Sequence, residues 1–167
     1  RITELDEIGN PTLAFLASGI EGLKVRITAK AASDEAASAI LADEETRLRR
    51  SLGELIFGAD GDTMESVVLD LCRAAGLRLA VAESVTGGII ASRMAAVPGA
   101  SETFLGAVVA YDPVVKHTVL GVPEGRVGTG AAASAMALGV RRVLGADAAL
   151  AVTGVAGPTE SELVPGG

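Results

Sequence analysis

Tryptophan is missing from this sequence, and aromatic residues of every kind make up only 2% of it. Ring packing is thereby excluded as the basis of a core, which must be built from Ala, Val, Leu and Ile. The 21 glycines add an expectation of close backbone approach. A single cysteine, Cys72, excludes a disulfide within the chain, and a reducing cytoplasmic setting is expected. Only one histidine is present, so no Cys/His cluster offers a zinc site, and neither metal nor cofactor is expected. A Ser-His-Asp triad would need His117, which has no carboxylate partner at a telling spacing. Basic charge is scarce too: 14 Lys and Arg face 21 Asp and Glu, a net charge of −7. Phosphate backbones are gripped by clustered Lys and Arg, so nucleic acid is not the expected partner. No apolar run reaches the roughly 18 residues of a membrane span, and "RITELDEIG" lacks a signal-peptide pattern. The chain opens without Met and stops at "TESELVPGG", which reads as a piece of something longer, truncated at its C-terminal end.

What is present suits a folded protein: 167 residues, 49% hydrophobic and 21% charged. The Gly- and Asp-rich stretch "FGADGDT" (57–63) marks a boundary, giving domains 1–59 and 60–167. In the first, 12–18 and 23–30 read as strands, the second with Val25 and Ile27 on one face and Lys24, Arg26 and Thr28 on the other. A helix is expected over 33–53, with Asp43, Glu44 and Glu45 on its solvated side, and "LIF" (55–57) reads as a short closing strand. "GADG" (58–61) has the form of an RNA-clamping loop, but its middle residues are not basic. In the second domain, Asp62 and Glu65 stand at capping-box spacing before a helix whose apolar stripe runs Met64, Val67, Val68, Leu71, Cys72 and Ala75. Strands at 77–82, 103–111 and 148–154 alternate with helices at 86–97, 112–121 and 128–145. The expected fold is α/β: a three-layer α/β/α domain preceded by a small α+β module.

Chemistry concentrates in three loops that follow strands, and parallel neighbouring strands would bring them to one edge. In "ESVTGG" (83–88) a helix expected to begin near Thr86 has unpaired N–H groups, and Gly87 and Gly88 admit a ligand to the backbone. Ser84 sits at the lip, either as a helix cap or as a nucleophile. In "YDPVVK" (111–116), Asp112 is the expected cap and Pro113 the first helical residue. Lys116 then lies among valines, where desolvation would lower its pKa and suit it to act as a base. In "AVTGVAGP" (151–158), Gly154 and Gly157 free the backbone to form either a plain tight loop or a second anion nest.

Taken together, "AESVTGG", "VPGASETFLGAVVAYDPVVKHTVLGV" and "LGADAALAVTGVAGP" resemble the C-terminal domain of the CinA family, also called the PncC or nicotinamide-nucleotide amidohydrolase family. "NPTLAFLA", "LKVRITAKA" and "LRRSLGELIFG" resemble the middle, K-homology-like domain of full-length CinA proteins. The resemblance implies deamidation of nicotinamide mononucleotide to nicotinic acid mononucleotide and ammonia. By match of motif, Ser84 would be the nucleophile, Lys116 its general base and Tyr111 an aid to proton transfer or orientation. Backbone N–H groups from Val85 to Gly88 would hold the oxyanion. Glu83, Thr86, Gly87, Gly88, Thr153, Gly154 and Gly157 would bind a small-molecule pyridine nucleotide. Val85 stands where the family usually has Cys. Family members are often homodimers, and Ala-rich helices would suit such an interface. A catalytically degenerate nucleotide-binding or interaction module is the alternative.

Overall fold

The computed structural model describes residues 9–17, 19–124 and 128–155. The chain divides into two compact units, residues 1–64 and 65–167.

In the first unit, strand β1 (Thr12–Ala17) pairs antiparallel with strand β2 (Leu23–Thr28), with Leu13 opposite Ile27 and Phe15 opposite Val25. The alternation of β2 is real: Val25 and Ile27 pack against buried Leu13 and Leu48, while Lys24, Arg26 and Thr28 are exposed. Leu48 comes from helix α1 (Asp34–Leu52), capped by the Ser33 hydroxyl, which accepts from Ala36 N–H at 3.2 Å. Two expectations fail here. Residues 55–57 form no strand; a 3-10 turn over Gly53–Leu55 ends the helix, because Gly53 takes φ 55° and turns the chain away from an extended path. Glu44 is not on a solvated face but buried, where Oε2 accepts from Arg47 Nη1 at 2.9 Å.

The second unit is three-layered. Parallel strands β3 (Leu79–Glu83), β4 (Phe104–Val109) and β5 (Ala148–Val152) lie in the order β4-β3-β5. Central β3 is buried along its whole length. On one face Ala80 and Ala82 pack with Met136, Val140 and Ala132 of helix α5 (Gly130–Leu144) and with Leu120 and Val122. Small side chains on the strand bring the helix close, and Gly139 lets it approach the backbone of Leu120. A Cβ there would stand 2.1 Å from Leu120 O. On the other face Leu79 packs with Leu69 of helix α2 (Met64–Ala74) and Met94 of helix α3 (Ile89–Ala95). Helix α4 (Pro113–Thr118) follows β4.

Helix α2 corrects its expected stripe: Leu69 is wholly buried and Leu71 is 64% exposed. Val68 and Cys72 do face the core. The capping box does not form either, since α2 begins at Met64. The Asp62 carboxylate turns back to accept from Ala59 N–H at 3.0 Å, and Glu65 accepts from Arg93 Nε on α3. Among the described residues, no helix is long and apolar enough to cross a membrane.

Candidate active site

The parallel register settles where the loops go. Glu83 lies opposite both Val109 and Val152, so the segments after β3, β4 and β5 leave one edge of the sheet together. The pairing continues past the strands: Ser84 N–H donates to Val152 O at 3.0 Å, and Ala110 N–H to Glu83 O at 2.7 Å. The third loop lies against the first, because a Cβ on Gly154 would touch Val85 Cγ1 at 3.4 Å. Gly157 lies outside the described residues.

The first loop departs from the sequence expectation. Helix α3 starts at Ile89 rather than near Thr86, and its first N–H groups already have a partner. The Glu83 carboxylate, fully buried, accepts from Gly88 and Ile90 N–H at 3.1 Å each and from Ala91 N–H at 2.7 Å. Burial pushes this carboxyl upward. The Ala91, Ile90 and Gly88 N–H groups and the nearby Thr86 hydroxyl outweigh it, holding the group below the ordinary carboxylate range. Glu83 is therefore a backbone anchor, both of its carboxylate oxygens accepting from the start of α3. Gly87 N–H is also committed, to Ser84 O at 3.0 Å. Gly87 and Gly88, at φ 62° and 101°, give the turn its left-handed shape but offer no N–H to an anion. What remains of the expected oxyanion donors is Val85 and Thr86, whose N–H groups bond to nothing among the described residues.

Ser84 itself is 4% exposed, and its hydroxyl bonds to nothing among the described residues. It is not spent on capping α3. The Thr86 and Thr153 hydroxyls, on the first and third loops, are also buried without a hydrogen-bond partner. The Ser84 and Thr153 hydroxyls thus stand uncommitted at this edge, and that of Thr86 lies beside the Glu83 carboxylate outside hydrogen-bond geometry, in surroundings where an unmade hydrogen bond carries a cost.

The second loop supplies the cation. Asp112 caps α4 as expected, its Oδ1 accepting from Val114 N–H at 2.7 Å, with Pro113 at the first helical position. Lys116 is 3% exposed, and its backbone carbonyl is pinned by Val122 N–H at 3.0 Å. No hydrogen bond or ion pair holds its ammonium among the described residues. Burial pushes the Lys116 ammonium below its usual range, and the Asp112 carboxylate offsets part of that. The electrostatic role of Asp112 escaped the sequence reading, although its spacing four residues before Lys116 carried the signal. Ser84 Oγ and Lys116 Nζ are not hydrogen-bonded to each other. Tyr111 is 67% exposed at the mouth of the loop, with no hydrogen bond of its own among the described residues. No group of three or more His, Cys, Asp and Glu that could hold a metal ion occurs among the described residues.

Two family models match the chain in succession: the damage-inducible protein CinA KH domain over residues 1–58 and the CinA C-terminal domain over 61–167. A CinA-like protein of Frankia casuarinae is 47% identical over 171 residues, covering 99% of this chain and 39% of the relative. A CinA-like protein of Synechococcus sp. (strain RCC307) is 48% identical over 163 residues, covering 94% of this chain and 39% of the relative. The chain therefore spans about two fifths of the length of these curated relatives. Among solved structures, the competence damage-inducible protein A of Klebsiella pneumoniae aligns with a TM-score of 0.57 at 32% identity, over 62% of this chain and 68% of that one. The competence-damaged protein (CinA) superfamily protein of Escherichia coli aligns with a TM-score of 0.59 at 26% identity, over 69% and 73%. With both domain models matched in order and relatives near half identical along the whole chain, this chain belongs to the CinA family.

Proposed function

We propose that the chain carries the catalytic residues of a nicotinamide-nucleotide amidohydrolase, which converts nicotinamide mononucleotide and water to nicotinic acid mononucleotide and ammonia. The single observation that carries this reading is the pairing of roles at one sheet edge. A buried serine with a free hydroxyl follows β3, and a buried, unpaired lysine with a depressed pKa follows neighbouring β4.

In this mechanism a neutral Lys116 amine takes the proton from Ser84 Oγ as that oxygen attacks the carboxamide carbon. Negative charge grows on the carboxamide oxygen and is met by the free N–H groups of Val85 and Thr86. Lys116 then passes the proton to the leaving nitrogen, the C–N bond breaks and ammonia departs. Water, deprotonated by the same lysine, hydrolyses the Ser84 ester and restores the hydroxyl. Thr153 and Gly154, the latter against Val85, line the nucleotide pocket, and exposed Tyr111 assists proton transfer or orientation. As the assembly we propose a cytoplasmic homodimer, for which exposed Leu138 and Val143 on α5 supply apolar surface.

Ammonia release from nicotinamide mononucleotide tests the reading. The wild-type protein is expected to turn over, and Ser84→Ala and Lys116→Ala are each expected to abolish turnover. A second reading, nucleotide binding without catalysis, draws on one observation: Ser84 Oγ and Lys116 Nζ are not in hydrogen-bond contact. Calorimetry separates the two, because binding of the mononucleotide without ammonia release supports the second.

A further inference from the structure

One buried titratable group beside the proposed nucleophile has no task in the reaction. Glu83 immediately precedes the proposed nucleophile, is fully buried, and spends both carboxylate oxygens on backbone N–H groups of Gly88, Ile90 and Ala91. Its own carbonyl is held by Ala110 N–H at 2.7 Å. One residue thus ties the end of the central strand to the start of α3, with residues 84–87 as the arch between.

The unusual feature is where the helix finds its acceptor. A helix start is ordinarily satisfied by a Ser, Thr, Asp or Asn at the N-cap position, whose side-chain oxygen accepts an N–H two or three residues on. Here the N-cap is Gly88, with no side chain to offer. Ser84 and Thr86 stand nearest in sequence with suitable hydroxyls, yet neither accepts from the helix: the Ser84 hydroxyl is uncommitted and that of Thr86 lies beside the Glu83 carboxylate. Glu83 does the work they would otherwise do. A buried carboxylate is tolerated only when its oxygens are satisfied, so the three donors and the carboxylate hold each other in place.

We propose that Glu83 is a positioning residue for the reaction. By occupying the start of α3 it releases Ser84 from capping and fixes the arch so that the Val85 and Thr86 N–H groups stay free for the oxyanion. The proposal rests on the amidohydrolase reading. With both oxygens on backbone N–H groups, Glu83 acts through the arch, so its loss falls on the chemical step rather than on binding. In Glu83→Gln one oxygen becomes an amide NH2, a donor facing a donor, and at least one of the three N–H groups loses its acceptor. The nearest replacements are the hydroxyls of Ser84 and Thr86, and recruiting either misaligns the arch.

The test combines amide hydrogen exchange with steady-state kinetics on nicotinamide mononucleotide. In the wild-type protein the Gly88, Ile90 and Ala91 amides are expected to be protected; free exchange there overturns the proposal without any variant. For Glu83→Gln, kcat is expected to fall about a hundredfold, the usual effect of a small misplacement of reacting groups, with KM within about twofold. Glu65→Gln serves as the structural control, because it weakens the Glu65–Arg93 contact that holds α3 from the side of α2. That variant is expected to lower the unfolding temperature while keeping kcat. An unchanged kcat in Glu83→Gln, or an equal loss in Glu65→Gln, overturns the positioning role and leaves the amidohydrolase reading standing. Absence of turnover in the wild-type protein overturns both.

Discussion

Lys116→Met separates what this side chain does for the fold from what it does for chemistry. The ammonium is 3% exposed and unpaired among the described residues, and burial depresses its pKa. The folded protein therefore bears a desolvation cost that an apolar side chain of similar length avoids. Exchanging buried ionic groups for apolar ones of like volume gains about 1–4 kcal/mol. The attraction of Asp112 offsets part of the cost in the native protein, so the lower half of that range applies, about 1–2.5 kcal/mol. For a unit of about this size, 1 kcal/mol moves the unfolding midpoint by about 4–8 °C. The sign with pH follows from linkage. Between the depressed folded pKa and the ordinary lysine value of about 10.4, the unfolded chain holds the proton that the folded one has shed. Wild-type stability therefore rises with pH through that window. The advantage of Lys116→Met is full below the folded pKa and closes as the pH approaches about 10.4. Tyr111 is the chain's only Tyr and there is no Trp, so its emission reports unfolding of this unit without interference. Thermal melts across neutral to alkaline pH, read by Tyr111 fluorescence, supply the measurement. A variant that melts at or below the wild-type temperature at pH 7, or a gap that widens with pH, refutes the buried unpaired ammonium.

Two other substitutions test the frame around the site. Gly139→Ala sets a Cβ 2.1 Å from the backbone oxygen of Leu120, which has no side-chain freedom to yield. Urea unfolding should show a loss of about 3 kcal/mol or more, the upper end of overpacking costs, where a solvent-facing helical Gly→Ala gains up to about 1 kcal/mol. The second concerns acid. The Glu83 carboxyl is held below its ordinary range, so its stabilisation is full above the unfolded value of about 4.3 and is lost as pH falls through the folded value. The stability gap between wild type and Glu83→Gln, followed by circular dichroism, should stay constant above about pH 4.3 and shrink below it.

The layered architecture could be read from the sequence because its signals are local. Near-continuous apolar runs mark strands covered on both faces, and Asp112-Pro113 and Pro98 delimit helices through fixed backbone chemistry. The departures arise where a distant partner decides. Helix α3 begins three residues later than expected, because its first donors are satisfied by a carboxylate from the preceding strand and not by a cap at Ser84 or Thr86. Leu69 and Leu71 lie on opposite sides of one helix, and only the layer it packs on says which is buried. Glu44 belongs by composition to a charged face, yet it is on the buried side of α1, paired with Arg47. At the site, Ser84 and Lys116 could be singled out by residue type and setting. Which N–H groups remain free could not, because that depends on Glu83 having already taken Gly88, Ile90 and Ala91.

The most direct test of the central claim is to trap the covalent intermediate. Acid quenching during turnover of nicotinamide mononucleotide, followed by trypsin, isolates the peptide between Arg78 and Arg93, residues 79–93, which contains Ser84. This peptide is expected to carry the nicotinic acid mononucleotide acyl group as an ester on Ser84, and Ser84→Ala is expected to yield neither adduct nor ammonia. Ammonia release that continues at the wild-type rate in Ser84→Ala, with residues 79–93 unmodified throughout, would contradict it.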